Sequence, residues 1–501
     1  MFQYAPNQIS LLKCAKCNKH GKEAPDMVNK HPLDIRILKS RTSGEYRRKF
    51  ALRRALPALL TAFFLIFSTG CSTFSGFSAE GTMRPPRPTG EKSAIYSVLE
   101  TVAAGAFTLK YPTSGDYRSA IITEDLDGDN QQEAMAFYQK ADEAAIIRVV
   151  FMRKAGDAWQ SLGDFTNTAT QVDKVAFGDV NGDGDQEVII GWGSAQTGST
   201  SLCVYSIEKG KMKELNLDQS YSQMAVMDFD GDGFDEIFTA NVALGEQPAL
   251  SSLFRIRSGA IEIMGTAKMD KTVTRYINMQ VGLLNETQYG IVLDGARSNA
   301  GYVTEVVYWN QENKKLETPL LDENHQSVSF TVRTNNILSR DVNGDRIIEL
   351  PIATILPGFT AQTAEETSYV TDWMRYDALS NTLERVMSTV TNGTDEYWFL
   401  IPDMWKGAIT TEYEAETRSM TFYRWEEEDP QKNQKAGKGK PLLQIRVFTQ
   451  KQWSAGKDTQ GYFELVDNNN LVYAARNLSP QDDLSMSDSD VRNSFRLVKQ
   501  E

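Results

Sequence analysis

A nine-residue acidic turn recurs along this chain, and it constrains the fold more than any other feature. Four copies read DLDGDNQQE from Asp125, DVNGDGDQE from Asp179, DFDGDGFDE from Asp228 and DVNGDRIIE from Asp341. Their starts lie 54, 49 and 113 residues apart, so the last gap is about two periods. A copy without the acids fills that gap near residue 282, in MQVGLLNETQYGIVLDG. Periods near 50 residues belong to propellers and other arrays. A single unit of that size cannot bury both of its faces, so units must stack.

Each copy has the same surroundings. A short apolar run enters the turn (SAIITE, KVAFG, QMAVM, NNILSR) and a β-rich run leaves it (EAMAFY, EVIIGWG, EIFTANV, ELPIATI). A third run, aromatic and β-branched, follows (IIRVVFMR, SLCVYSIEKG, SLFRIRSG, TEVVYWNQENKK), and a Gly- or Asn-containing turn then leads to a fourth. Four short strands per unit make a propeller blade. The expected fold is therefore mainly β: a propeller of roughly 54-residue, four-stranded repeats over 96–393. Five units are visible, and strands near 100–112 and 390–401 would complete a further blade.

The turns carry their own chemistry. Acids at positions 1, 3 and 5 converge on one centre, position 7 can offer a carbonyl, and Glu at position 9 closes the shell. Such hard oxygen ligands suit calcium. An EF-hand needs a bidentate Glu at position 12 and a helix on each side. Position 12 here is Ala136, Ile190, Thr239 and Ile352, and strands flank the turns. No His or Cys participates, which disfavours zinc. Hydrogen-bonded Asx turns alone would leave several carboxylates crowded together without a neutralising cation.

The pattern resembles the FG-GAP or VCBS repeat, the calcium-loop blade also found in the integrin alpha head, over roughly 110–390. Carried over, the resemblance implies ligands Asp125, Asp127, Asp129 and Glu133 in the first loop. It implies Asp179, Asn181, Asp183 and Glu187 in the second, with the Asp185 carbonyl. The third would use Asp228, Asp230, Asp232 and Glu236, and the fourth Asp341, Asn343, Asp345 and Glu349. In the fourth, Arg346 replaces the usual Gly. The unit near 282 lacks ligands and is expected to bind nothing. At millimolar extracellular calcium, sites with Kd around 10⁻⁴–10⁻³ M stay filled, so the ions would pin blade corners rather than signal.

Composition places the chain. Its net charge is −13, but residues 1–70 carry 13 Lys/Arg against 4 Asp/Glu, so the remaining 431 carry −22. A body this acidic excludes nucleic acid as the expected partner. Residues 47–71 join a basic cluster to the apolar run ALPALLTAFFLIF and then Ser68-Thr69-Gly70-Cys71. The run is short for a bilayer span. It looks like a lipoprotein signal peptide with Cys71 as the lipidated residue, although Ser68 stands where the family pattern usually has Leu. The expected site is the extracytoplasmic face of a bacterial membrane, held by the N-terminal lipid. Residues 72–95 read as a flexible tether. Residues 1–46 read as an extension upstream of the true start; its Cys14-Ala15-Lys16-Cys17 is half a zinc site without a second pair. Cys203, in SLCVYSI, is expected to be a small buried hydrophobe.

Residues 394–501 show longer alternating runs, a charged loop (EEEDPQKNQKAGKGK) and a closing helical pattern at Val491, Phe495 and Val498. A small α+β domain with an antiparallel sheet is expected. Trp405, Trp425 and Trp453 read as packing residues, with a sugar platform as the other possibility. The exported part has one histidine, His325, in a polar loop without the flanks of a catalytic triad. The expectation is therefore a non-catalytic binding or scaffolding module for an envelope glycan or protein. The alternative is a glycan-acting hydrolase with its site in the propeller channel or beside the C-terminal domain, using a carboxylate pair.

Overall fold

In the computed structural model, residues 90–498 are described, apart from 195–199, 218, 299–300 and 432–433. The signal segment, Cys71 and Cys14–Cys17 lie outside the described residues. The described chain is mainly β, arranged in six antiparallel sheets that follow one another in sequence.

The first sheet comprises Phe107–Leu109, Ile121–Glu124, Glu133–Lys140, Ile147–Ala155 and Ala158–Asn167; the first two both pair with Glu133–Lys140. The second is a four-stranded meander of Gln171–Gly178, Glu187–Gly193, Thr200–Glu208 and Lys211–Asn216. The third repeats it with Gln223–Met227, Glu236–Asn241, Leu250–Arg257 and Ala260–Lys268, and the fourth with Val273–Leu283, Tyr289–Arg297, Gly301–Asn310 and Lys315–Glu317. The fifth holds Leu350–Ile355, Tyr369–Asp377, Thr382–Asn392 and Tyr397–Leu400, closed by Phe495–Leu497. The sixth runs Ile409–Glu414, Ser419–Glu426, Gly437–Thr449, Leu471–Asn477 and Phe463–Asn468 in spatial order.

Strand periodicity explains the stacking. Successive residues point to opposite faces, and the second strand of each meander is apolar on both. In Glu133–Lys140, Met135 and Phe137 pack toward the second sheet with Val188, Ile190 and Trp192. Ala134, Ala136 and Tyr138 face the other way, onto the helix Glu91–Ala103. The same division recurs between the second and third sheets, the third and fourth, the fourth and fifth, and the fifth and sixth. No buried apolar cluster among the described residues joins the sixth sheet to the first. Closure into a ring is thus not part of the described architecture.

Four local expectations are corrected. Residues 91–103 form a helix, not tether and strand, because Ile95, Leu99 and Ala103 recur at four-residue spacing and are buried on the first sheet. The run NNILSR is irregular rather than an entering strand. Asp294 accepts from Ser339 N at 2.7 Å, and buried Arg333 donates to the Ile337 carbonyl and to Asp294, so the backbone there is satisfied outside a ladder. The boundary expected at 393/394 falls within the fifth sheet, since Tyr397–Leu400 and Phe495–Leu497 both add to it. The closing helix stops at Ser494 and the chain continues as strand from Phe495. Trp405 is buried core and donates to the Leu484 carbonyl at 2.7 Å, Trp453 packs beside Phe448, and Trp425 lines a cleft.

Candidate metal centre

All four acidic loops occupy the bend between an entering segment and the apolar strand that leaves it, and they share one hydrogen-bond plan. The first Asp accepts backbone N–H groups three and five residues on: Gly182 and Gly184 on Asp179 at 2.7 and 3.0 Å, Gly231 and Gly233 on Asp228 at 2.6 and 3.0 Å, Gly344 and Arg346 on Asp341 at 2.7 and 2.8 Å. Asp125 accepts from Asn130 at 2.9 Å. Asn181, Asp230 and Asn343 each accept the N–H two residues later, and Asp129, Asp183, Asp232 and Asp345 do the same. The closing glutamates reach back to the second residue: Glu133 to Leu126, Glu187 to Val180, Glu236 to Phe229 and Glu349 to Val342, at 2.9–3.1 Å. Positions 4 and 6 have positive φ in every loop, which is why Gly dominates there and why Asn130 (φ 65°) and Arg346 (φ 71°) are the costlier occupants.

This plan spends one face of each acid on the backbone and turns the rest inward. Asp125, Asp127 and Glu133 bring carboxylate oxygens within 4.8 Å of one another, and so do Asp228, Asp230 and Glu236. Oδ1 of Asp125, Oδ1 of Asp127 and Oε1 of Glu349 are buried without a hydrogen-bond partner. Burial, then the charge of nearby aspartates, pushes Glu187 and Glu236 up to about 8 and Glu349 up to about 7. The chemistry of the set fits an oxygen-loving divalent ion in the first and third loops, where the carboxylates converge.

The loops differ in what already neutralises them, and this was not anticipated from sequence. The next strand places a residue beside each closing Glu: Arg153, Ser206, Arg255 and Arg375 follow Met152, Tyr205, Phe254 and Met374, which pair directly with or beside the start of the apolar strand. Arg153 binds Asp127 and, at 2.8 Å, Glu133. Arg375 binds Asp345 at 2.6 Å. In the second loop the Asn181 amide donates to Glu187 at 2.6 Å and Asp183 at 3.0 Å. In the third, Arg255 turns to Glu262 at 3.0 Å, and no ion pair among the described residues reaches Asp228, Asp230, Asp232 or Glu236. The Arg in IIRVVFMR, SLFRIRSG and YVTDWMRYD was the available signal.

Neighbouring loops are also joined. Position 8 donates its N–H to the previous bend: Gln186 to Leu126 at 2.6 Å, Asp235 to Asp179 at 2.8 Å and Ile348 to Leu283 at 2.9 Å. The Asp235 side chain accepts from Asp179 N at 3.1 Å. The bend near 282, which lacks the aspartates, is shorter; Asn285 Oδ1 accepts from Thr287 and Gln288, and its amide donates to Asp377 at 3.0 Å.

Two further residues were singled out in the sequence. His325 sits in a turn and its ring contacts Lys268 at 3.0 Å rather than a hydroxyl or carboxylate. Cys203 is a free, buried thiol. A cleft of about 430 Å³ lies between the fifth and sixth sheets, lined by Trp425, Phe359, Tyr413, Glu412 and Lys438. Glu412 is held below the ordinary glutamate range by hydrogen bonding to Lys438 at 2.7 Å and to Tyr423.

No protein-family model matches this chain, and no curated protein matches it. Among solved structures, it is similar to a rhamnogalacturonan lyase, PL11, of Bacillus licheniformis, at 13% identity over 64% of this chain and 74% of that one, with a TM-score of 0.27. It is also similar to the rhamnogalacturonan lyase YesW, at 12% identity over 63% of this chain and 68% of that one, with a TM-score of 0.30. Neither is described as an FG-GAP or VCBS repeat protein. Both are lyases, and on that finding the expectation that the chain is non-catalytic is withdrawn.

Proposed function

We propose that this chain is a lipoprotein on the outer face of a bacterial cell membrane, anchored at Cys71, in which calcium ions pin successive blades of a propeller-type array. The third loop carries the proposal. Asp228, Asp230 and Glu236 converge there, and no ion pair among the described residues reaches them. Two like charges about 4 Å apart cost about 4 kcal/mol at an effective dielectric of 20. A single backbone hydrogen bond returns only about 1 kcal/mol. A divalent ion removes this imbalance, and the bonds between consecutive bends pass its stabilisation from sheet to sheet. The helix Glu91–Ala103 takes the place of a neighbouring blade on the first sheet. The test is thermal melting of the full chain in calcium and in excess EDTA. Chelation is expected to lower the melting temperature by several degrees, since an ion at a hundred times its Kd contributes about 2.7 kcal/mol. An unchanged melt defeats the proposal.

A second reading concerns what the array carries: a site that acts on an envelope glycan, in the cleft between the fifth and sixth sheets. Trp425 favours it. The ring is half-buried rather than sealed in the core, and Gly358, at φ 91°, leaves space that a Cβ would close to 2.8 Å from the indole. An aromatic face beside Glu412 and Lys438 is the arrangement a sugar ring stacks against. Incubation with purified envelope polysaccharide is expected to shorten the chains, and Trp425→Ala to slow this at least tenfold. Polysaccharide of unchanged size overturns the reading.

A further inference from the structure

The sixth sheet packs one face on the fifth; its other face is apolar around Phe448, Val472 and Ala474 and polar beside them. Met420, Phe422, Leu443, Ile445, Val447 and Tyr473 fill the core against the fifth sheet. The alternate residues Ser419, Gln444, Arg446 and Arg476 line a cleft of about 550 Å³ on the far face. Register sets their spacing. Gln444 lies opposite Arg476 and Arg446 opposite Ala474, so the two arginines are diagonal neighbours, ~7–8 Å apart at the backbone. That separation lets two guanidinium groups grip one anion from two sides.

Both arginines are held, and neither is in an ion pair among the described residues. Arg446 lies 4.6 Å from the Phe448 ring centre, and Arg476 lies 4.7 Å from that of Tyr462. Gln444 fixes the second pair: its amide donates to Thr421 at 2.9 Å, while its oxygen accepts from Tyr462 and, at 3.1 Å, from Arg476. The Nε atoms of Arg446 and Arg476 are buried with no acceptor. Elsewhere around this sheet, Arg418 pairs with Asp395, and Arg424 with Asp482 and Asp483. In a chain of net charge −13, two arginines placed without a carboxylate but with aromatic support are built to receive one. A buried donor left unmet is costly, and an incoming oxyanion would satisfy it.

The rim narrows the ligand. Glu414 and Asp458 also line the cleft. They repel a bare anion but accept hydrogen bonds from hydroxyl groups. The volume exceeds that of a single inorganic ion and falls in the range of small-molecule sites. We propose that this cleft binds an oxyanion carried on a hydroxylated chain: the carboxylate of a uronic-acid oligosaccharide or the phosphodiester of a polyol-phosphate chain. The site is separate from the calcium loops and from the Trp425 cleft.

Calorimetry on the full chain in detergent tests this with three probes: an oligogalacturonate, the same oligomer with its carboxylates reduced to alcohols, and an oligo(glycerol phosphate). At least one acidic probe is expected to bind ten or more times tighter than the neutral oligomer, and whichever binds tighter identifies the source. Arg446→Gln and Arg476→Gln should each weaken that binding at least tenfold, with Arg446→Lys between them and the wild type, because an ammonium cannot grip bidentately. Should either Gln variant fail to fold, Gln460→Glu serves instead: Gln460 is exposed and lines the same cleft, so the change adds charge at the rim and should weaken only the acidic probe. Equal binding of acidic and neutral oligomers, binding of neither acidic probe, or wild-type affinity in the folded variants overturns the proposal.

Discussion

Asp125–Glu133 and Asp228–Glu236 bend the chain at the same place in their sheets, with three backbone hydrogen bonds in common and a carboxylate cluster of the same size. Each also has an arginine at the same point of the next strand. Arg153 has entered its loop and holds Asp127 and Glu133. Arg255 has not, because Glu262, directly across on the outer strand, claims it; the residue across from Arg153 is Gln160. One carboxylate outside the loop thus decides whether the acids inside are neutralised by the protein or left for an ion. Equal ligand count does not mean equal need for calcium.

The largest effect should come from the third loop. Asp230→Asn with Asp232→Asn removes two of four charges, and calcium affinity there should fall about a hundredfold, roughly 2.7 kcal/mol. The same change at Asp127 should cost far less, since its oxygen is already shared with Arg153. Calorimetric titration of both variants would break the comparison if the two losses were equal. A smaller, sign-reversed pair sharpens it. Arg153→Gln should strengthen calcium binding at the first loop about tenfold by removing a competing cation. Glu262→Gln should weaken the third several-fold by freeing Arg255 to swing in. Terbium luminescence on the two variants reads the opposite directions directly. Matching directions would show that the arginines do not compete with the ion.

The sequence made the spacing of the bends legible because each acid there has a local job. Asp228 and Asp230 cap backbone N–H groups two to five residues ahead, so motif and geometry share one short window. The stacking of sheets was readable for a similar reason, since runs such as EVIIGWG are buried on both faces. What could not be read was set by residues far apart in sequence. Arg153 meets Asp127 across 26 positions, and Arg375 meets Asp345 across 30. Phe495–Leu497 joins the fifth sheet almost a hundred residues after its neighbour Tyr397–Leu400. The bend without aspartates was legible as a gap in the repeat, but not its remedy. Asn285 replaces ion contacts with two backbone hydrogen bonds and an amide link to Asp377. Asn285→Asp should therefore destabilise the chain by about 1–3 kcal/mol through a lost donor and facing carboxylates, with no rescue by calcium. A calcium-dependent recovery of the melting temperature would show that the bend still holds a ligand set.

Acidity gives the smallest effect and the most direct view of the third loop. Burial, reinforced by Asp230 and Asp232, pushes Glu236 up to about 8 from an ordinary value of 4.5. Without an ion, the folded chain keeps a proton that the unfolded chain releases between those two values. The stability from this group is therefore fully present below about pH 4.5 and lost as pH rises through 8. Calcium needs the ionised carboxylate, so ion binding runs the other way and strengthens across the same window. In EDTA, the wild-type melting temperature should fall from pH 5 to pH 8 relative to that of Glu236→Gln, which cannot titrate. In calcium the same difference should shrink or change sign. If the two proteins kept a constant offset in EDTA, Glu236 would be ionised throughout, and the neutralising cation would have to come from the protein, as it does at Arg153.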